Sequence, residues 1–214
     1  MDYKKSEAKE YAREHFVGVW AANLTPFDEA LRIDEKAYRE NLDHWIRDLK
    51  LGGLFIAGKQ AEFFSESIAE RKRLIELSVQ AARDAGDRGG IGRAGIVAST
   101  SDTNLDVVLE LSRYSADVGA DYVIVHSPVL HFGADTEETI YEYYRYLTEQ
   151  LDIGIAMWNH TDCGYIMSPE LCNRIADLPN IVAIKYSADR AHYKRLTELA
   201  GGKTAGVPVA VVRG

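Results

Sequence analysis

Short apolar runs recur along the chain, separated by amphipathic stretches. The runs are VGVWAANL (17–24), GGLFIAG (52–58), AGIVAST (94–100), DYVIVHSP (121–128), IGIAMWN (153–159) and NIVAIKYS (180–187), with a weaker AGVPVAVV at 205–212. Continuous runs of this length suit parallel strands covered on both faces. Between them the apolar period changes to that of a helix. Tyr38, Leu42, Trp45, Ile46 and Leu49 share one face, as do Ile140, Tyr143, Tyr144, Leu147 and Leu151, and then Tyr193, Leu196 and Leu199. SIAE at 67–70 reads as a capping box, with Ser67 as cap and Glu70 reaching back. Ser168 is placed to cap a helix whose first position is Pro169, and Gly119 to end one. Residues 1–16 read as a helical segment ahead of a barrel domain spanning 17–214.

Alternation of strand and helix implies right-handed parallel crossovers and an α/β fold. Two architectures fit, an open doubly wound sheet and a (β/α)₈ TIM barrel. A doubly wound nucleotide-binding domain carries a glycine-rich loop after its first strand. Here that strand leads into ANLTPFDE, and the glycines of RGGIGRAG (88–95) precede a strand instead of following one. The barrel is therefore predicted, with RGGIGRAG as a loop and a phosphate site there as the minor alternative. Full barrels take about 250 residues; six strong strands and a weaker seventh in 214 residues predict a barrel incomplete at its C-terminus, with strand edges left open.

Composition narrows the function classes. Hydrophobic residues at 46% and charged residues at 27% indicate a globular chain. A net charge of −8 without a basic run argues against nucleic-acid and anionic-membrane partners. No apolar run approaches the ~18 residues of a membrane span, and MDYKKSEAKEYAREHF lacks the apolar core of a secretory signal. Cys163 and Cys172 read as free thiols, which fits a cytoplasmic protein, with a disulfide between them as the alternative.

A barrel does its chemistry at the C-terminal ends of its strands. Lysine there, at the end of the apolar run NIVAIKYS, is costly to bury. A neutral lysine attacks a carbonyl and forms a Schiff base, whose protonated imine stabilises an adjacent carbanion. Lowering a lysine pKa from about 10.4 to about 7 costs the ammonium roughly 4–5 kcal/mol, within reach of a desolvating barrel mouth. Lys59, at the end of the second strand, is a second cation able to help. The plainer alternative has Lys185 extending out of the rim or pairing with Glu62.

Taken together, VWAANLTPFDEALRIDEKAYRENLDHWIRDLKLGGLFIAG, AGKQAEFFSESIAERKRLIE and MWNHTDCGYIMSPELCNRIADLPNIVAIKYSAD resemble, in order and spacing, the dihydrodipicolinate synthase / N-acetylneuraminate lyase family of class I lyases, from about Val17 to about Leu199. Gly164 and Lys185 are spaced like that family's motif glycine and catalytic lysine. The resemblance implies a (β/α)₈ barrel holding pyruvate or another small-molecule 2-oxo acid as a Schiff base on Lys185, for C–C cleavage, condensation or dehydration. It implies no cofactor and no metal, and a homo-oligomer, tetramer or dimer. It places Gly58, Lys59, Gln60 and Asn159 at the substrate, and His131 and Trp158 with Lys185 at the chemistry.

The chain also departs from the pattern. Lys59 and Gln60 stand where the family has two threonines, so the substrate carboxylate would be read by charge. The family's proton-relaying tyrosine falls at Met157 or Trp158, neither of which has a phenol; Tyr165, His160 and His131 are the candidate substitutes. No arginine follows in MWNHTDCGY to bind a second carboxylate, which points away from dihydrodipicolinate synthesis itself. Two other classes remain open: a barrel without catalysis acting in binding or assembly, and a metal-dependent barrel using His126, His131 and His160 with Asp162 and Glu62.

Overall fold

The computed structural model describes residues 2–128, 136–163, 165–201 and 203–204. Helix and strand alternate throughout them. Helix α1 (Ala8–His15) precedes β1 (Trp20–Ala22), α2 (Glu35–Asp43), β2 (Gly53–Ile56), α3 (Ile68–Ala85), β3 (Gly95–Ser99) and α4 (Leu105–Val118). Then follow β4 (Tyr122–His126), α5 (Thr136–Gln150), β5 (Gly154–His160), α6 (Pro169–Ala176), β6 (Ile181–Ser187) and α7 (Arg190–Ala200). All six strong apolar runs are strands; the 205–212 run lies outside the described residues. Among the described residues no helix is long and apolar enough to cross a membrane.

The local signals explain the helix limits. Ser67 and Glu70 form the reciprocal capping box on α3, and Ser168 caps α6 with Pro169 first in the helix. Gly119 ends α4 in the left-handed region at φ +96°, which a side chain would resist. Two face expectations fail in part: on α7 Leu196 is buried but Tyr193 is 40% exposed, and the face of α2 is lost at its C-terminal end. After Asp43 the helix widens into a π turn, His44–Asp48, which shifts the phase of the side chains. Tyr38, Leu42 and Ile46 are fully buried, whereas Leu49 is turned out to solvent at 53% exposure.

The six strands form one parallel sheet in sequential order, β1 to β6. The sheet curls strongly. The rings of Phe55 on β2 and Trp158 on β5 are 5.3 Å apart, although on a flat sheet three strand spacings would separate them by about 14 Å. Alternate residues therefore fill two kinds of core. Outward side chains such as Leu54, Ile96, Val123, Ile155 and Ile184 pack under the helices, and inward ones such as Phe55, Val97, Ile124, Ala156 and Trp158 fill the hollow. This is the alternating β/α barrel architecture, with β1 and β6 as edges of the described sheet.

The N-terminal segment closes the floor of the hollow. Ala8 and Ala12 are fully buried against it. The Tyr3 hydroxyl donates to the Asp121 carbonyl and accepts from the Gly154 amide at 2.9 Å, bridging the N-terminal ends of β4 and β5. Trp20 lies across the first inward positions of β2 and β3. Glycine is required there, since a Cβ on Gly53 or Gly95 would come within 2.4 or 2.3 Å of the indole. With the floor sealed, the open end is the C-terminal one, where Lys185 stands.

Candidate active site

Lys185 is the fifth residue of β6 and shares its inward face with Ala183. Its ammonium lies 4.5 Å from the centroid of Trp158 and 5.0 Å from that of Phe55. Ring faces stabilise a cation only in part, and they exclude water. Desolvation is the main reason the lysine pKa drops to about 8; the charge of Lys59 lowers it further, and Cys163 opposes the shift. Among the described residues no carboxylate pairs with Lys185, so the pairing with Glu62 is not formed.

Trp158, which the ammonium touches, also lines a cleft of about 250 Å³ together with Lys59, Phe63, Phe64, His126, His160 and Cys163. Its walls are mostly aromatic. Phe63 stands 6.5 Å from Trp158 and 6.2 Å from His126, and those two rings are 5.9 Å apart. The loop from β2 that carries Lys59 and Phe63 is held in an unusual shape: Ala57 and Glu62 take positive φ, 51° and 63°, in left-handed backbone that costs non-glycine residues energy. Buried Arg71 braces this loop from behind. It stacks 5.1 Å from Phe63 and donates to the carbonyls of Ser99 and Ser101, at 3.2 and 2.9 Å, and to Asp102 at 3.3 Å.

All but one of the expected site residues lie among the described residues. Trp158 faces the hollow while Met157 faces the helices, so the tryptophan occupies the inward position where the resemblance expects a tyrosine. Its indole nitrogen is buried without a partner. Gly58 is buried, and a Cβ there would meet the Phe55 ring at 2.9 Å. Lys59 reaches the cleft; Gln60 is exposed and is not part of its wall. Asn159 corrects the expectation of a substrate contact. It points to the helix side, where its amide donates to the Met167 carbonyl at 3.1 Å and accepts from the Met167 amide at 2.9 Å. The alternation of a strand turns residue 159 outward once 158 and 160 face inward. His131 and Gly164 lie outside the described residues.

The cleft also holds residues to which the sequence assigned no role at a Schiff-base centre. His126 is buried, its Nδ1 2.6 Å from the Ser127 carbonyl, and burial lowers its pKa. Cys163 is a buried free thiol whose pKa burial pushes up to about 11, so it stays protonated. Cys172 is likewise buried and free, and no disulfide joins the two. Among the described residues no three His, Cys, Asp or Glu side chains group as metal ligands would.

A model of the dihydrodipicolinate synthetase family matches residues 15–203, most of the chain. The chain belongs to that family. An uncharacterized DapA-like lyase of Thermococcus kodakarensis is 31% identical over 179 residues, covering 83% of this chain and 57% of that protein. The 4-hydroxy-tetrahydrodipicolinate synthase of Methanothrix thermoacetophila is 29% identical over 194 residues, covering 90% and 61%. The chain thus spans about six-tenths of the length of these relatives. Among solved structures, chloride-inhibited dihydrodipicolinate synthase of Acinetobacter baumannii complexed with pyruvate superposes with a TM-score of 0.78 at 24% identity, covering 87% of this chain and 61% of that one. CdNal of Clostridium difficile, in complex with mannosamine, superposes with a TM-score of 0.75 at 24% identity, covering 85% of this chain and 60% of that one. At these identities the likeness of structure concerns the fold of this dihydrodipicolinate synthetase family member.

Proposed function

We propose that this chain carries class I lyase chemistry, with Lys185 forming a Schiff base with pyruvate or another 2-oxo acid ahead of C–C cleavage, condensation or dehydration. The observation that carries the reading is the lysine itself: an inward ammonium at the C-terminal end of a barrel strand, set over two aromatic rings, with its pKa brought down to about 8. At pH 7 roughly a tenth of such a side chain is the neutral amine, against a few parts in ten thousand for an ordinary lysine. Family membership and the pyruvate bound by the Acinetobacter baumannii enzyme support the substrate class. Lys59 at the rim supplies a positive charge for the substrate carboxylate.

The test is reductive trapping. Pyruvate with borohydride converts an imine to a secondary amine, and peptide mass spectrometry locates the added mass. The adduct is expected on the peptide carrying Lys185, and it disappears in Lys185→Ala. Lys185→Arg is equally inert, because a guanidinium stays protonated. Trapping on another lysine, or an undiminished adduct in Lys185→Ala, sinks the assignment.

A further inference from the structure

We propose that the imidazole of His160 moves the proton at C3 of a 2-oxo acid held as an imine on Lys185, a role that rests on the Schiff-base reading above. The position where the resemblance expects a proton-relaying phenol is filled by Trp158, and an indole N–H donates but never accepts. A proton carrier must therefore come from elsewhere on the cleft wall. His160 is two residues beyond Trp158 on β5 and so shares its inward face. The strand register pairs Trp158 with Lys185 and His160 with Ser187. This sets the imidazole one inward position nearer the mouth than the lysine, on the adjacent strand, along the wall of the cleft.

Among the described residues the other candidates are bound elsewhere, and His131 lies outside them; His160 itself has the Thr161 hydroxyl 3.5 Å from its Nδ1. The Tyr165 hydroxyl donates to Glu137 at 3.1 Å, and its ring packs on the helix-side core. His126 belongs to β4, one strand further from Lys185, and its ring is anchored on the Ser127 carbonyl. Among the described residues the charged and titratable groups around His160 are Lys185 from β6, Lys59 from the turn after β2, Cys163 from the turn after β5 and His126 from β4. Burial and then the two ammonium groups depress its pKa, which keeps the ring neutral and ready to accept a proton at pH 7.

The step balances without oxidant or metal. The neutral Lys185 Nζ bonds to C2 of the oxo acid and, with one proton taken up from solvent, the C2 oxygen leaves as water, giving the iminium. A ring nitrogen of His160 then takes a proton from C3. The C3–H electron pair becomes the C2=C3 bond, the C2=N π pair returns to nitrogen, and a neutral enamine faces an imidazolium. Protonation of C3 by that imidazolium runs the step backwards.

The experiment follows exchange of the pyruvate methyl protons in D₂O by proton NMR, beside borohydride trapping read by intact mass, on the full chain. His160→Gln is expected to keep the trapped adduct within about twofold and to slow exchange about 100-fold, the scale of a single acid–base group. Imidazole added to His160→Ala should restore part of the exchange, which a merely structural histidine would not allow. In the wild type, exchange should rise through an apparent pKa below the usual histidine value of about 6.5, and this limb should be missing from His160→Gln. Normal exchange in His160→Gln with the adduct intact overturns the proposal. A wild type that forms the adduct without exchanging protons overturns it too. Absence of any adduct in the wild type is a different result: it refutes the Schiff-base reading and removes this step with it.

Discussion

Replacing Lys185 by methionine should make the protein more stable at neutral pH, and the gain should fade as the pH rises. Methionine keeps the unbranched stem and discards the charge. An unfolded lysine titrates near 10.4, whereas in the folded chain desolvation holds Lys185 near 8. That gap corresponds to about 3 kcal/mol for a group wholly shut off from water. Lys185 is only partly shut off, so about 1–2 kcal/mol is expected once screening is allowed for. The sign follows from proton counting. Between pH 8 and about 10.4 the unfolded chain holds this proton and the folded chain does not, so wild-type stability climbs across that window. Below pH 8 both states are protonated and the folded chain bears the whole penalty. Lys185→Met has no such titration. Urea denaturation of both proteins at intervals from pH 7 to pH 10 reads the difference directly, provided the slopes agree. A variant that is less stable at pH 7, or a difference that stays flat through the window, refutes the claim that Lys185 is held desolvated. A reactive lysine maintained at the expense of stability is the arrangement expected of a functional site.

Three further outcomes follow. Lys59→Ala should raise the KM for a 2-oxo acid with a smaller effect on kcat, because it removes ground-state binding; an unchanged KM in steady-state kinetics rules out carboxylate recognition by this side chain. Tyr3→Phe leaves the Gly154 amide and Asp121 carbonyl unpaired in a buried setting, so a loss of about 1–3 kcal/mol is expected in chemical denaturation, with faster hydrogen exchange at Gly154. Gly95→Ala drives a Cβ to 2.3 Å from the Trp20 ring. It should cost about 1–3 kcal/mol in the same assay, and Trp20→Phe should recover part of the loss.

The resemblance on which the family was recognised lay in the order of motifs, and the solved folds agree with it. What was legible within single elements was largely correct. Capping at Ser67 and Ser168 and the stop at Gly119 depend on contacts within a few residues, so the sequence contains all the atoms involved. The helix around Tyr38 was legible only as far as its α geometry lasts, because the π turn at His44–Asp48 has no marker in the apolar period. The same limit applied to the site. Lys185 stood out as a charge in an apolar run, but nothing local tells that Phe55, more than a hundred residues earlier, supplies one of the rings beneath it.

The sequence by itself determined the alternation of strands and helices, the inward or outward parity within each strand, and the presence of a lysine where a barrel does its chemistry. These follow from periodicity and from short-range hydrogen bonding. The curl of the sheet decided the rest. It set the absolute face of each strand, turning Trp158 and His160 inward and Asn159 out to Met167. It also brought Lys59 and Phe63 from the loop after β2, His126 from β4 and Trp158 and His160 from β5 around one cleft. The lysine's lowered pKa comes from that desolvation, which exists only when segments distant in sequence close over the same ammonium.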